Sequence, residues 1–558
     1  MKSLEDVKAA LTAPGQLFEM DEVEIREAHT RVWKHAPPSL RSILEITRLH
    51  GDATFLVYED ERLTFEQHFR HAATFARRLT ERYGVRTGDR VAIAMRNFPE
   101  WSVAFFGAAA IGAVVVPLNA WWTAPELEYG LRDSDAKVLI ADEERAGRLA
   151  DALPGLGIAT IVVRGDGTPP AGAEPYESVL GEVGDTLPDV AIDPDDDATI
   201  FYTSGTTGRP KGALGTQRNI TTNPLSLAYA MAAAAVRAGG TIEEVTAPRR
   251  RITLLSVPLF HATGCHSMLI ASALTGGTIV LMHKWNAERA LELIARERVT
   301  TFGGVPTMAW QVLTSPEFDK HDTSSLTGVS YGGAPAPPKL VEKIKERLPE
   351  RTPGNGYGLT ETSSVTTYNA GINYLEHPDS VGPPVAVCDV KVVDPVGNEV
   401  PTGEVGELLI KGPNVIKGYW NRPDATAEAF ADGWFHSGDL ARVDDEGFVY
   451  IVDRAKDMLI RGGENVYCAE VEAAIYEHPA VADAAVIGVP HEVLGEEVGA
   501  VICLRPGASL AEDDLRAFLR ERIAAFKVPA HVWFREGELP RNPGGKILKT
   551  RLRQEILG

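Results

Sequence analysis

Alternating helix-like and strand-like segments run through most of the chain, and this rhythm constrains the fold more than any other feature. In residues 41–190, Phe55-Leu56-Val57-Tyr58, Val91-Ala92-Ile93-Ala94, Val138-Leu139-Ile140 and Ile161-Val162-Val163 read as buried strands. Phe65 to Tyr83 reads as an amphipathic helix. A second round runs from Thr253-Leu254-Leu255 to Tyr331. Strands separated by helices imply parallel sheets covered by helices on their faces. Val103 to Leu118 is free of charge but spans only 16 residues, with Pro117 near its end. A membrane helix needs about 20. A buried helix running into the strand Ala113-Val114-Val115-Val116 is the expectation.

Other segments have a different character. Residues 1 to about 40 are charged and read as helical. Residues 231–251 have little pattern, and their closing Arg249-Arg250-Arg251 reads as a solvated loop. Val381 to Tyr450 shows short alternating strands with Gly/Pro/Asn turns, as in a small antiparallel subdomain. From Met458 a compact α+β pattern appears, with helices at Val471 to Tyr476 and Leu510 to Phe526, and strands at Ala484 to Ile487 and Val498 to Leu504. The full 558 residues exceed a single core. The polar break Arg454–Asp457 divides them into an α/β domain, 1–455, and a smaller α+β domain, 456–558.

The most chemical stretch is Tyr202-Thr-Ser-Gly-Thr-Thr-Gly-Arg-Pro-Lys-Gly-Ala213, directly after the apolar run Ala198–Phe201. Glycines admit backbone N–H groups close to an anion, and hydroxyls and an ammonium complete a phosphate cradle. The spacing is not that of a Walker loop. A polyphosphate site, that of a nucleotide, is the reading.

This string resembles the signature loop of the adenylate-forming superfamily, which includes acyl-CoA synthetases, luciferases and the adenylation domains of peptide synthetases. The likeness continues through Tyr357-Gly358-Leu359-Thr360-Glu361, Ser437-Gly438-Asp439-Leu440, Asp453-Arg454-Ala455-Lys456-Asp457, Arg461-Gly462-Gly463-Glu464-Asn465-Val466 and Pro543-Gly544-Gly545-Lys546, in order, from about residue 40 to the end. The resemblance implies that Thr203, Ser204, Gly205, Thr206, Thr207, Gly208 and Lys211 hold phosphates. It implies that Gly332, Gly333, Ala334 and Pro335 lie along the adenine, and that Asn355, Gly356, Tyr357 and Gly358 also bind the nucleotide. Thr360 would bond the α-phosphate and Glu361 would hold Mg²⁺. Asp439 and Arg454 would take the ribose, and Lys456 would be the hinge of a mobile C-terminal lid. Gly462, Gly463 and Glu464 would line the CoA tunnel, and His261, Gly303, Gly304 and Val305 the acyl pocket, with His261, at its junction with the nucleotide pocket, counted among the catalytic residues. Lys546 would bridge the carboxylate and the α-phosphate. Gln217, Cys468 and Asn542 stand where many relatives carry His, Pro and Thr.

The implied function is an AMP-forming acid–CoA ligase that uses ATP, Mg²⁺ and CoA. A stand-alone enzyme that loads an acyl group onto a carrier protein is the alternative. The catalytic set is complete, which speaks against a binding-only protein, and nothing points to a luciferin. Gly328-Val-Ser330-Tyr-Gly332 formally matches a serine-hydrolase elbow, but no helix is expected directly after the serine. No Asp lies between Pro258 and Met268 to hold an amino group, which argues against an amino-acid substrate. Thr263–Met268, Gly303–Trp310 and Ser363–Thr367 carry no Asp, Glu, Lys or Arg. That suits an apolar acid: a medium- or long-chain fatty acid first, an aryl acid second. A net charge of −21 argues against nucleic acid as a partner. With no signal peptide or membrane segment in view, a cytoplasmic enzyme is expected, and a homodimer is compatible with the sequence.

Overall fold

A computed structural model describes residues 2–203, 209–247, 250–333, 338–349, 351–542 and 545–558. Two eight-stranded sheets form its large part. The first runs in the order Gly418–Tyr419, Lys211–Thr216, Asp197–Thr203, Val114–Pro117, Arg90–Ala94, Ala136–Asp142, Ala159–Val163, Ala173–Pro175. The second runs Thr367–Ala370, Thr352–Tyr357, Gly328–Gly332, Thr301–Gly304, Ile252–Leu255, Thr278–Leu281, Thr54–Tyr58, Glu61–Thr64. Central neighbours are parallel; both edges of the second sheet and the Gly418–Tyr419 end of the first are antiparallel, while the Ala173–Pro175 edge is parallel. One apolar core joins the inner faces of both sheets through the helices Leu40–Thr47, Phe65–Glu81 and Pro99–Ala109. Beyond Glu100 in its first turn, Pro99–Ala109 is buried all round, which is why the rest of its sequence lacks charge. No helix among the described residues is long and apolar enough to cross a membrane.

A five-stranded antiparallel sheet follows, built on Asp389–Val393, Gly406–Lys411, Trp434–Val443 and Val449–Arg454. The last sheet pairs Val481–His491 with Gly495–Leu504 and packs on the helices Cys468–Tyr476 and Glu512–Arg520.

Three expectations are corrected. The first 40 residues contain one helix, Leu4–Leu11, and then a hairpin, Met20–Ile25 with Ala28–Trp33. Its two-residue turn, Arg26-Glu27, has φ of 50° and 63°, so charge here marks the exposed side of a ribbon rather than a helix. The segment from 231 is not patternless: Ala232–Ala235 belong to a 21-residue helix, Gln217–Arg237, in which Ala232 and Ala234 are buried. A helix buried on several sides has no clean polar stripe, which hid it. The expected helix from Leu510 to Phe526 covers only Glu512–Arg520. Of the arginine triplet, Arg250 donates to the Thr54 carbonyl and the Thr278 hydroxyl, and Arg251 to the Met231 sulfur; Arg249 lies outside the described residues. Ser330 lies inside the strand Gly328–Gly332, not on a strand-to-helix turn, which removes the nucleophile elbow.

Candidate active site

The strands on either side of the glycine-rich loop form a tight antiparallel pair in which Thr203 faces Lys211. Ser204, Gly205, Thr206, Thr207 and Gly208, between them, lie outside the described residues, as do Ala334 and Pro335 of the second glycine motif. At the mouth, the Thr203 hydroxyl donates to the Lys211 carbonyl at 3.4 Å. The Lys211 ammonium stands over the Tyr419 ring, 4.6 Å from its centre. Tyr419 reaches this point because Gly418–Tyr419 pairs with the exit strand, and its hydroxyl donates to Glu361 at 2.9 Å. Tyr419 thereby ties Lys211 to the Glu361 carboxylate. The sequence reading missed it; the aromatic pair Tyr419-Trp420 in a loop rich in Gly and Asn was the available signal.

The Tyr357–Glu361 motif is held by close packing. A Cβ on Gly358 would overlap the Ser364 carbonyl oxygen, so only glycine fits. The chain then makes a short turn, Thr360–Thr362, and passes through Ser363 and Ser364 at φ of 51° and 94°. Two consecutive non-glycine residues in this region are strained, a cost that clusters at functional sites. The Thr362 hydroxyl accepts from Leu359 N–H at 2.9 Å, and the Glu361 carbonyl accepts from Ile416 N–H at 2.9 Å. The strain is thus braced on both sides.

Asp439 and Arg454 face each other across neighbouring strands, with an ion pair of 3.1 Å. Asp439 is 4% exposed and also accepts from the Tyr357 hydroxyl at 2.7 Å. The turn before it is fixed by Ser437, which donates to the Leu408 carbonyl at 2.6 Å and accepts from Asp439 N–H. A buried carboxylate held by two partners is oriented well enough to accept hydrogen bonds from a diol.

A cleft of about 2520 Å³ joins these parts, and Asn355, Gly356, Tyr357, Gly358, Asp439, Arg454, Lys456, Val305, Gly333 and Lys546 line it. The Lys546 ammonium is pulled down to about 8. Desolvation is the main cause, with Arg454 adding to it and Asp439 and Asp457 opposing. Burial and Arg454 also lower Lys456, against the pull of Asp457, Asp439 and Glu361. The Lys546 loop is held by Arg541, which donates to the Gly545 carbonyl at 2.7 Å, and by Asn542, whose side chain accepts from Lys546 N–H at 2.9 Å. A Cβ on Gly545 would come 2.7 Å from Val305, so this loop sits directly on the end of the expected acyl wall. Pro543 and Gly544 lie outside the described residues.

Gly462 and Gly463 form the turn of another hairpin, Leu459–Arg461 with Glu464–Val466, at φ of 60° and 90°. Among the described residues that line the cleft, none comes from this turn. Lys546 and the Asp439–Arg454 pair are therefore together in this arrangement, while Gly462, Gly463 and Glu464 stand apart from them.

His261 is half buried, its Nε2 has no partner among the described residues, and burial lowers it to about 4, so the ring is neutral near pH 7. It precedes a π-helix, Thr263–Ile270, a form often found at functional sites. Gly303 and Gly304 end the strand Thr301–Gly304. A Cβ on Gly303 would come 2.5 Å from the Ser330 carbonyl oxygen; one on Gly304 would meet Ser256 Oγ at 2.7 Å and Met308 Sδ at 2.8 Å. The three departures from the resemblance have local roles. Gln217 is buried and accepts from Leu40 N–H at 2.9 Å. Cys468 donates to the Asp457 carbonyl at 2.9 Å. Asn542 shapes the Lys546 turn.

The profile of the AMP-binding enzyme family matches residues 45–420, and that of the AMP-binding enzyme C-terminal domain matches residues 470–546. A feruloyl-CoA synthase of an Amycolatopsis species is 39% identical over 509 residues, 91% of this chain and 97% of that protein. A long-chain-fatty-acid–CoA ligase of Mycobacterium tuberculosis is 37% identical over 502 residues, 89% of this chain and 93% of that one. Among solved structures, the o-succinylbenzoate CoA synthetase of Bacillus subtilis, in complex with its acyl-adenylate intermediate, superposes with a TM-score of 0.78 at 30% identity, covering 92% of this chain and 98% of that one. With the family matched across most of its length and relatives this similar, the chain belongs to the AMP-binding, adenylate-forming enzymes, among their acyl-CoA synthetases.

Proposed function

We propose that the enzyme activates a hydrophobic carboxylic acid in the cytoplasm in two steps at one cleft. A carboxylate oxygen of the acid attacks the α-phosphorus of ATP, and pyrophosphate leaves. The thiolate sulfur of CoA then attacks the acyl carbon, and AMP leaves. The observation that carries this reading is the convergence of Lys546, the Asp439–Arg454 pair and the Tyr357 motif on one cleft.

The first step brings two anions together, so positive charge must meet the forming bond. Lys546 has that position and a short, desolvated reach. Thr360 would hydrogen-bond the α-phosphate, and Lys211, with the loop it follows, would hold the outer phosphates. Asp439 and Arg454 would fix the ribose, and Gly332–Pro335 with Asn355–Gly358 would flank the adenine. The Glu361 carboxylate, with phosphate oxygens and water, suits Mg²⁺, which asks for one or two protein carboxylates; the ion would supply neutralisation of the polyphosphate. His261, as a neutral ring, would border the acyl pocket with Gly303, Gly304 and Val305. The lid, 456–558, would turn about Lys456 and bring Gly462, Gly463 and Glu464 to the cleft for thiol entry.

The test is pyrophosphate release that depends on acid and ATP, followed by thioester formation with free CoA. Adenylate formation without transfer to free CoA would favour the carrier-protein alternative. Absence of adenylate with every acid would remove the proposal.

A further inference from the structure

The hairpin Met20–Ile25 with Ala28–Trp33 lies ahead of residue 45, where the match to the family begins. Its two-residue turn is built against the usual preference. Turns of this kind favour Asn-Gly, because both positions take positive φ. Here they are Arg26 and Glu27, both at positive φ. Two non-glycine residues in that region carry strain, which persists where the surroundings fix them. The loop 412–417 supplies a partner for the first of them. Arg26 donates through Nη2 to the Val415 carbonyl at 3.0 Å and through Nη1 to the Ile416 carbonyl. Arg26 is exposed by its overall surface, yet desolvation lowers its guanidinium, against the pull of Asp195.

The two carbonyls that Arg26 caps belong to two peptides that brace the site. The Val415–Ile416 peptide presents its N–H to the Glu361 carbonyl at 2.9 Å. The Ile416–Lys417 peptide presents its N–H to the Leu214 carbonyl at 2.9 Å, on the strand Lys211–Thr216 that leaves the glycine-rich loop. Two residues further on, Tyr419 meets both Lys211 and Glu361. One planar fork thus engages the oxygens of both linking peptides. A charged donor on a peptide oxygen polarises that peptide and strengthens the bond its N–H makes. Asn219 supports the same loop, donating to the Val415 carbonyl at 2.9 Å and the Pro413 carbonyl at 2.7 Å.

The hairpin has other anchors. Trp33 donates to Ser226 Oγ at 3.0 Å and packs, with Phe18, against Tyr229. Arg31 donates to the Ala386 carbonyl at 3.2 Å and pairs with Asp389. These hold the ribbon to the domain, and Arg26 extends from its tip to the loop. We propose that Arg26 is a positioning residue for the nucleotide site: its fork sets the loop 412–419 so that Glu361 and Lys211 keep their places for ATP with Mg²⁺. This rests on the ligase reading above, in which those two side chains serve the polyphosphate and its ion.

The experiment is calorimetric binding of ATP with Mg²⁺ to the whole enzyme, beside amide hydrogen exchange of the segment 412–420 and pyrophosphate release with palmitate, octanoate and benzoate. Arg26→Ala should weaken ATP binding about tenfold and raise the KM for ATP in like measure, with the KM for the best of the three acids unchanged. Exchange at the Ile416 and Lys417 N–H groups should speed up. Arg26→Lys keeps the charge but gives up the planar fork. It should show the same shift in smaller measure, and it serves where alanine does not fold. Arg31→Ala loosens the same hairpin without touching the loop, so it should lower the melting temperature and leave ATP binding as it is. Unchanged ATP binding in both Arg26 variants, or an equal loss in Arg31→Ala, would overturn the inference and leave the ligase reading standing. A wild-type enzyme that binds no ATP would overturn the ligase reading itself, and this one with it.

Discussion

Lys546 is in a conflict that substrate resolves. It is desolvated beside Arg454 and Lys456, and this lowers its ammonium to about 8. The charged form is the one that helps a carboxylate approach a phosphate. On the proposed reading, kcat/KM for adenylation falls as pH rises through about 8, because the free enzyme loses the charge there. The check is a pH profile of pyrophosphate release against that of Lys546→Arg, which keeps its charge at every pH used and should lose this limb. Lys546→Ala should slow adenylation by about a thousandfold or more, since it removes a charge aligned with the transition state. It should spare thioester formation from pre-made acyl-adenylate. Equal loss in both half-reactions would sink the role. The pairing of Asp439 with Arg454 was legible as two motif residues. That they are cross-strand neighbours was not, because register depends on a bulge between Leu440 and Ala441 that no local pattern announces.

Strands were the most legible elements where they are buried on both faces. Phe55–Tyr58, Val91–Ala94 and Val138–Ile140 are apolar runs, and each is a strand of a parallel array. The amphipathic helix Phe65–Glu81 was equally plain from its spacing, and a capping box at Thr64 and Gln67 fixes its start. The N-terminal hairpin and the long helix Gln217–Arg237 were not, since one is a charged ribbon and the other is buried with no polar stripe. Packing around glycines was also hidden. From sequence, Gly303 reads as a site where a bulky residue would shorten the acyl pocket. In the structure its missing side chain makes room for the Ser330 backbone at 2.5 Å. Gly303→Val should therefore push two strands apart and destabilise the domain by about 1–3 kcal/mol, by overpacking. Thermal unfolding checks this. A variant that keeps its melting temperature and only shifts acid length would show that this wall yields.

At the scale of the whole molecule, the proposed reading has two loops of the C-terminal part use one cleft in turn. The Lys546 loop is inside it, with Gly545 against Val305, while the Gly462–Gly463 turn lies outside. Two loops on one rigid body cannot exchange places unless that body turns, so the proposed thiol step needs a rotation between the half-reactions. A rotation of this kind is absorbed by a few residues where one element ends and the next begins. Here the strand Val449–Arg454 ends, Asp457 and Met458 N–H groups fold back to the Arg454 carbonyl, and the next strand starts at Leu459. Lys456 sits in the middle of that turn. Lys456→Pro fixes φ near −65° and restricts Ala455 before it. The arrangement described is the one with Lys546 in place, so the substitution should leave much of the adenylation rate and remove most of the CoA transfer. The measurement is pyrophosphate release beside thioester formation from isolated acyl-adenylate. Wild-type rates in both would mean that the chain turns elsewhere. Loss of both, together with a lowered melting temperature, would mean that proline has broken the turn rather than locked it.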